Sequence, residues 1–199
     1  MRRVAITQRL DRFDKIGETR EALDARLAGL IWQMGMVPIP VCSGVADHDT
    51  YFDALRPDCI VLSGGPDINA YPERDALEAS FLARAARESV PVLGICRGLQ
   101  MINHVQGGSL RPINDHVATR HMVRGPLFPN AVEVNSYHCN GITSETLGRD
   151  LVPCAFSDDG NVEAVRHTSL PWLGIMWHPE REAKVSEFDF NLMQRHLSE

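Results

Sequence analysis

Three groups of residues in this 199-residue chain are of types and in settings that could break an amide. The first is Cys96, in Val90-Pro91-Val92-Leu93-Gly94-Ile95-Cys96-Arg97-Gly98-Leu99-Gln100. A short apolar run ends abruptly in the cysteine, and the residues after Gly98 can continue as a helix. A side chain at such a strand-to-helix bend projects from the sheet edge, and the backbone N–H groups that follow open a helix N-terminus. Both features favour a thiolate within reach of a substrate. The second group is His178-Pro179-Glu180, in which an imidazole is followed two residues later by a carboxylate. The third is Ser63-Gly64-Gly65-Pro66-Asp67, a tight turn whose N–H groups suit an anion. Taken singly, each has a plainer reading: a buried core thiol, a structural histidine, an ordinary turn.

The elements that must carry these residues follow a β-α-β order. Val4 to Thr7 reads as a buried strand, Thr19 to Met34 as an amphipathic helix stopped by Gly35, and Val37 to Val41 as a strand whose prolines suit a sheet edge. Tyr51 to Leu55 makes a helical turn, and Cys59 to Leu62 is an entirely apolar strand running into the Gly64-Gly65 turn. Asp75-Ala76-Leu77-Glu78 has the spacing of a capping box opening a helix to about Glu88. After the Cys96 unit the chain becomes choppier. Leu110 to His116, Ala131 to Val134, Leu151 to Phe156 and Val162 to Arg166 read as short strands, the last two joined by the hairpin signal Asp158-Asp159-Gly160-Asn161. Trp172 to Trp177 is another buried strand, and Ser186 to Leu197 a final amphipathic helix. Alternating strands and helices predict an α/β chain. Its sheet is doubly wound and mostly parallel, with helices on both faces and a small antiparallel extension. Sites form at the carboxyl ends of such strands, so the three groups can meet. No linker or repeat divides the chain, and one domain over residues 1–199 is expected.

If they meet, each has a role. Cys96 attacks a carbonyl, and His178 takes the thiol proton and later gives it to the leaving amine. Glu180 fixes the imidazole tautomer, while N–H groups of Gly65 and Arg97 receive the oxyanion. No metal or cofactor is needed for such an acyl transfer. His116 and His121 read as loop residues rather than ligands, and His138, in Asn135-Ser136-Tyr137-His138, reads equally as a substrate-facing loop or a plain turn.

Bulk properties narrow the setting. The formal net charge is −6 and no basic stripe occurs, which excludes a nucleic-acid partner. Five cysteines without a C-x-x-C spacing argue against a disulfide framework or zinc ribbon, and no apolar stretch approaches the ~20 residues of a membrane span. A cytoplasmic, membrane-free setting is expected.

The three motifs in this order resemble the class I glutamine amidotransferase superfamily, and the resemblance extends over essentially the whole chain. It implies a flavodoxin-like sheet, a Cys96-His178-Glu180 triad, a γ-glutamyl thioester, and an oxyanion hole from Gly65 and Arg97 beside Gly64. It also implies that Gln100 and the Ser136-Tyr137 backbone hold the glutamyl α-amino and α-carboxylate groups, with Asn135 and His138 in the same substrate-binding segment. Cys96-Arg97-Gly98 together with Asn135-Ser136-Tyr137-His138 is similar to the γ-glutamyl hydrolase branch, including γ-glutamyl-γ-aminobutyrate hydrolases, which release the amine to water. The opening Ala5-Ile6-Thr7-Gln8-Arg9 and the chain's short length look most like the compact hydrolases of capsular phosphoramidate assembly, whose implied substrate is a CDP-linked glutamine. On that reading Arg9, Arg12, Arg97, Arg120 or Arg124 would neutralise a diphosphate. The implied partner is a small γ-glutamyl molecule, nucleotide-linked in the last case, and the chain could pair as a homodimer. The alternative is a glutaminase subunit that delivers ammonia to a synthetase on a separate chain.

Overall fold

The computed structural model describes residues 1–199 and is built on one nine-stranded sheet. The first half of the chain contains β1 (Arg3–Thr7), a hairpin of β2 (Arg9–Phe13) and β3 (Glu18–Ala22), α1 (Ala25–Gln33), β4 (Val37–Val41) and α2 (His48–Leu55). It continues through β5 (Cys59–Leu62), α3 (Pro72–Glu88), β6 (Val92–Ile95) and α4 (Arg97–Val105). The second half adds β7 (Arg111–Pro112), β8 (Val117–Arg124), β9 (Val132–Tyr137), β10 (Asn140–Gly141), β11 (Leu151–Ser157), β12 (Val162–His167), β13 (Trp172–Ile175) and α5 (Glu187–His196).

Strand order in the sheet is β4-β1-β5-β6-β13-β12-β11-β8-β9. From β4 to β13 the pairing is parallel; from β13 outward it is antiparallel, so the extension comprises β12, β11, β8 and β9. β5, β6 and β13 are buried along their whole length, as expected of strands covered on both faces. The helices α2, α3 and α4 pack together, while α5 reaches α1 through Gln194, which donates to the Met34 carbonyl at 3.2 Å. The Pro38- and Pro40-bearing strand β4 lies on the sheet edge, where a missing N–H costs no ladder bond.

Several local expectations are corrected. Thr19 to Ala22 is strand rather than helix: β3 pairs antiparallel with β2 from Arg9↔Ala22 to Phe13↔Glu18, and α1 begins only after the Asp24 cap. Pairing across the hairpin overrides the modest helix preference of Glu, Arg and Ala there. The Asp75–Glu78 capping box is not a cap. α3 starts three residues earlier with Pro72 in its first turn, and both carboxylates face another chain segment. Only Arg111–Pro112 of the expected strand from Leu110 is extended, while Val117–Arg124 forms the unexpected β8. Asn135-Ser136-Tyr137 lies within β9 rather than in a loop after it. The hairpin at Asp158–Asn161 and the α5 cap at Ser186 are as expected. All five cysteines are free, and no helix is long and apolar enough to cross a membrane.

Candidate active site

Register brings the three groups of residues to one edge. Leu62 of β5 lies beside Gly94 of β6, and Gly94 beside Gly174 of β13. The Gly64-Gly65 turn, Cys96 and His178 therefore all emerge just past the carboxyl ends of three adjacent parallel strands. The last ladder bond is made by the nucleophile candidate itself, Cys96 N–H donating to the Ile175 carbonyl at 2.8 Å.

Cys96 sits at φ 53°, ψ −105°, a conformation that a residue with a Cβ adopts only when its surroundings enforce it. The enforcement is close packing. A Cβ on Gly98 would stand 2.1 Å from the Leu62 carbonyl oxygen, so only glycine lets α4 start against β5. The sulfur is nearly buried and lies near enough to His178 to raise the pKa of its ring.

His178 is held from two sides. Its Nδ1–H donates to Glu180 Oε1 at 2.6 Å, which leaves Nε2 to serve the sulfur. Its backbone is clamped by Asn135: His178 N–H donates to Asn135 Oδ1 at 2.9 Å, and Asn135 Nδ2 donates to the His178 carbonyl at 2.8 Å. Burial opposes charge on this ring, but the nearby Cys96 sulfur and the bond to Glu180 outweigh it, and the pKa is pushed up to about 9. At neutral pH the imidazole keeps its proton opposite the sulfur. On its other flank, a Cβ on Gly64 would stand 2.7 Å from His178 Cε1, so the glycine turn closes directly onto the ring.

That turn is braced from behind by residues the sequence reading did not single out. Arg74 is 1% exposed; its guanidinium donates to the carbonyls of Ser63 at 2.7 Å and Gly64 at 3.2 Å. Glu78, fully buried, accepts from Arg74 Nε at 2.9 Å and from Arg97, whose other nitrogen donates to Asp75. Although burial opposes its charge, the two guanidinium groups hold the Glu78 carboxyl below its usual range. One ionic assembly thus joins α3, the glycine turn and the first residue of α4. The signal was present in the sequence: Arg74 and Glu78 fall on the same buried helix stripe as Leu77, Phe81, Leu82 and Ala85.

The other expected site residues divide. Gln100 is buried, and its amide donates to the Asn140 carbonyl at 3.0 Å rather than into open space. The Ser136 hydroxyl donates to the His116 carbonyl at 2.6 Å, and the residue is fully buried on β9 opposite Thr119 of β8. Tyr137 is exposed and stands edge-on to the His178 ring, with the Arg181 guanidinium over its other face at 4.6 Å. His138 turns away into a buried group with His116 and Glu163; His121, expected in a loop, lies on β8 beside them. A cleft of about 280 Å³ opens beside His178 and Glu180, with Arg9, Asp11, Gly64, Gly65 and Arg181 among its lining residues; Cys96 does not border it. Among the arginines expected to meet a diphosphate, Arg97 is consumed by Glu78 and Asp75, Arg120 pairs with Glu133 and Glu182, and Arg124 pairs with Asp158. Arg12 stands over the Tyr71 ring. Arg9 alone of the five lines the cleft, joined there by Arg181, which the sequence reading passed over.

A family model described as peptidase C26 matches residues 4–180. The chain is 34% identical over 189 residues to the γ-glutamyl-CDP-amidate hydrolase of Campylobacter jejuni, covering 90% of each. It is 28% identical over 207 residues to the γ-glutamyl-γ-aminobutyrate hydrolase of Escherichia coli O157:H7, covering 82% of this chain and 80% of the relative. In fold it resembles a GMP synthase-like protein from Thermoplasma acidophilum, with a TM-score of 0.77 at 20% identity over 100% of this chain and 93% of the other.

Proposed function

Since the chain belongs to the peptidase C26 family, we propose that it is a free-standing hydrolase that cuts a γ-glutamyl amide through a thioester on Cys96. The observation that carries this reading is the relay at the sheet edge: a strained, buried Cys96 beside a His178 that is charged at neutral pH and bonded to Glu180. The Cys96 sulfur attacks the γ-carbonyl carbon, and the oxyanion takes N–H bonds from Gly65 and Arg97. As the C–N bond breaks, the His178 imidazolium gives its proton to the leaving nitrogen. Water then enters, His178 removes its proton, and the thioester collapses to free glutamate and thiol.

For the leaving group, we favour a nucleotide-linked amidate, giving L-glutamate and cytidine diphosphoramidate. Two observations support this choice: the 34% identity to the Campylobacter hydrolase, and Arg9 and Arg181 in the cleft wall. Arg9 comes from the β2–β3 hairpin and is held by Asp11 at 2.7 Å, while Arg181 follows the triad glutamate directly. The same wall carries Asp11, Asp24 and Glu180, so a diphosphate would have to draw Arg9 from Asp11 and Arg181 from Glu180.

Glutamate release by the purified chain alone tests both levels, using γ-glutamyl-CDP-amidate, γ-glutamyl-γ-aminobutyrate and glutamine. Preference for the nucleotide conjugate, with KM raised by Arg9→Ala, is expected. Preference for γ-glutamyl-γ-aminobutyrate would keep the hydrolase and overturn the leaving group. Activity on glutamine alone, and only after a synthetase is added, would replace the reading with that of a glutaminase subunit.

A further inference from the structure

Where β8 begins and β9 ends, His116 and His138 meet Glu163 of β12 in the interior; the three side chains are 6%, 2% and 1% exposed. His116 Nδ1 lies 3.4 Å from His138 Nε2, and the Glu163 Oε1 atom lies 3.6 Å from the first and 3.7 Å from the second. The three atoms form a nearly equilateral triangle. Donors around a tetrahedral zinc ion at about 2.0–2.2 Å are separated by about 3.3–3.6 Å, so the triangle needs to contract by only about 0.1 Å to be one face of such a site.

The proton arrangement makes the same demand. His138 Nδ1 lies 3.1 Å from the Asn140 carbonyl, which can only accept, so that nitrogen carries hydrogen. His116 Nε2 lies 3.0 Å from the Asp159 carboxylate and carries hydrogen for the same reason. In neutral rings, His116 Nδ1 and His138 Nε2 are then both bare lone pairs, facing each other and a carboxylate oxygen. A single added proton would join the two rings, and Glu163 Oε1 between them would still have no donor, its only other neighbour being His121 at 3.5 Å from Oε2. Both Glu163 oxygens are buried without a hydrogen-bond partner, as are both ring nitrogens of His121, whose Nε2 stands 3.5 Å from Oε2. An acceptor-rich, enclosed set of two imidazoles and one carboxylate is the donor chemistry of a divalent transition metal. The Asp159 carboxylate and Asn140 carbonyl sit where outer partners orient ligating histidines.

We propose that His116, His138 and Glu163 bind a divalent first-row transition metal, zinc foremost, in a structural site that ties β9 to β12. His121 stands outside these three donors, its Nε2 3.5 Å from the second Glu163 oxygen, and the fourth position falls to water. The site is distinct from the triad, but β9 also carries Asn135, and the Asn140 carbonyl accepts from Gln100 as well as from His138. A bound ion would therefore stiffen the wall that holds His178.

The test uses untagged full-length protein carrying Cys96→Ser, so that the active-site sulfur offers no competing ligand. Elemental analysis of protein purified without chelator is expected to find one zinc per chain. After stripping, one equivalent of Co²⁺ should give the visible absorption of a four-coordinate nitrogen–oxygen site without a sulfur charge-transfer band, and Zn²⁺ should raise the melting temperature. Glu163→Gln, nearly isosteric, should abolish the cobalt spectrum and the melting shift, and Asp159→Asn should weaken binding by about 10–100-fold. Stoichiometric binding that persists in Glu163→Gln would overturn the proposal. So would protein that neither retains zinc nor takes up Co²⁺, which would leave the cluster held by a proton and a buried water.

Discussion

Two glutamates, Glu78 and Glu163, are almost wholly buried, 0% and 1% exposed, and their surroundings differ in one respect. Glu78 is met by two guanidinium groups that can only donate; every charge in its assembly has a partner. Glu163 is met by His116 and His138, whose facing nitrogens can only accept unless they take up a proton, and by His121 at a long 3.5 Å. The first assembly is complete as a protein structure and shapes the glycine turn behind the nucleophile. The second is complete only when a cation joins it. Buried histidines divide the same way. Burial pushes the His138 pKa down, whereas His178, opposed by burial in the same manner, is carried up to about 9 by the Cys96 sulfur and Glu180. Both rings have a carboxylate neighbour, but Glu180 is hydrogen-bonded to His178 at 2.6 Å, whereas Glu163 stands 3.7 Å from His138 and two further imidazoles crowd that ring, so burial wins there.

Experiments that break the comparison begin with the sulfur that the Glu78 assembly serves. Cys96→Ala should lower γ-glutamyl hydrolysis by at least about 10⁴-fold while leaving thermal unfolding near that of the parent, read by glutamate release and calorimetry. Glu78→Ala removes the shared acceptor of two buried cations. It should destabilise the fold by about 3–5 kcal/mol in denaturant titrations. An effect below about 1 kcal/mol would show that Arg74 and Arg97 find water instead. Asn135→Ala frees the His178 backbone while leaving the imidazole and Glu180 in place. It should reduce kcat by about 10–100-fold with KM nearly unchanged. A rise in KM alone would make Asn135 a substrate contact.

The pH dependence sharpens the contrast between the histidines. A folded pKa raised from 6.5 to about 9 gives His178 a stabilising contribution that is full below the lower value and lost as pH rises through the higher one. Activity that needs the imidazolium should fall on an alkaline limb near pH 9, a property of the coupled sulfur–imidazole pair. Glu180→Gln removes one of the contributions that raise the pKa and should move that limb to lower pH, as measured in kcat/KM profiles.

The legible parts of the sequence were those whose signal is local. The strands ending at Leu62, Ile95 and Ile175 are short apolar runs, and Gly64, Cys96 and His178 follow within three residues of their ends, so pattern could bring them to one sheet edge, while their roles came from the family resemblance. The β2–β3 hairpin was hidden because Thr19 to Ala22 carries helix-favouring residues, and only its pairing with Arg9 to Arg12 makes it a strand. Its loss from the sequence reading also hid one wall of the cleft. Asn135 was read as a substrate contact because sequence shows that it is polar but not that it faces the His178 backbone. His116, His138 and Glu163 are separated by more than twenty residues at each step, without the close spacing that marks a metal motif, and only the packing of β8, β9 and β12 brings them together. Arg74 and Glu78 were the recoverable miss, since two opposite charges one helical turn apart on an apolar stripe announce a buried pair.

A rapid-quench mass analysis of the purified chain during turnover of a γ-glutamyl conjugate reads the Cys96 thioester itself. A transient adduct of one glutamyl group on the peptide containing Cys96 is predicted, absent in Cys96→Ala and lost or strongly reduced in His178→Ala, which cannot protonate the leaving nitrogen. Full turnover with no adduct at Cys96, or an adduct on another residue, would contradict the thioester route.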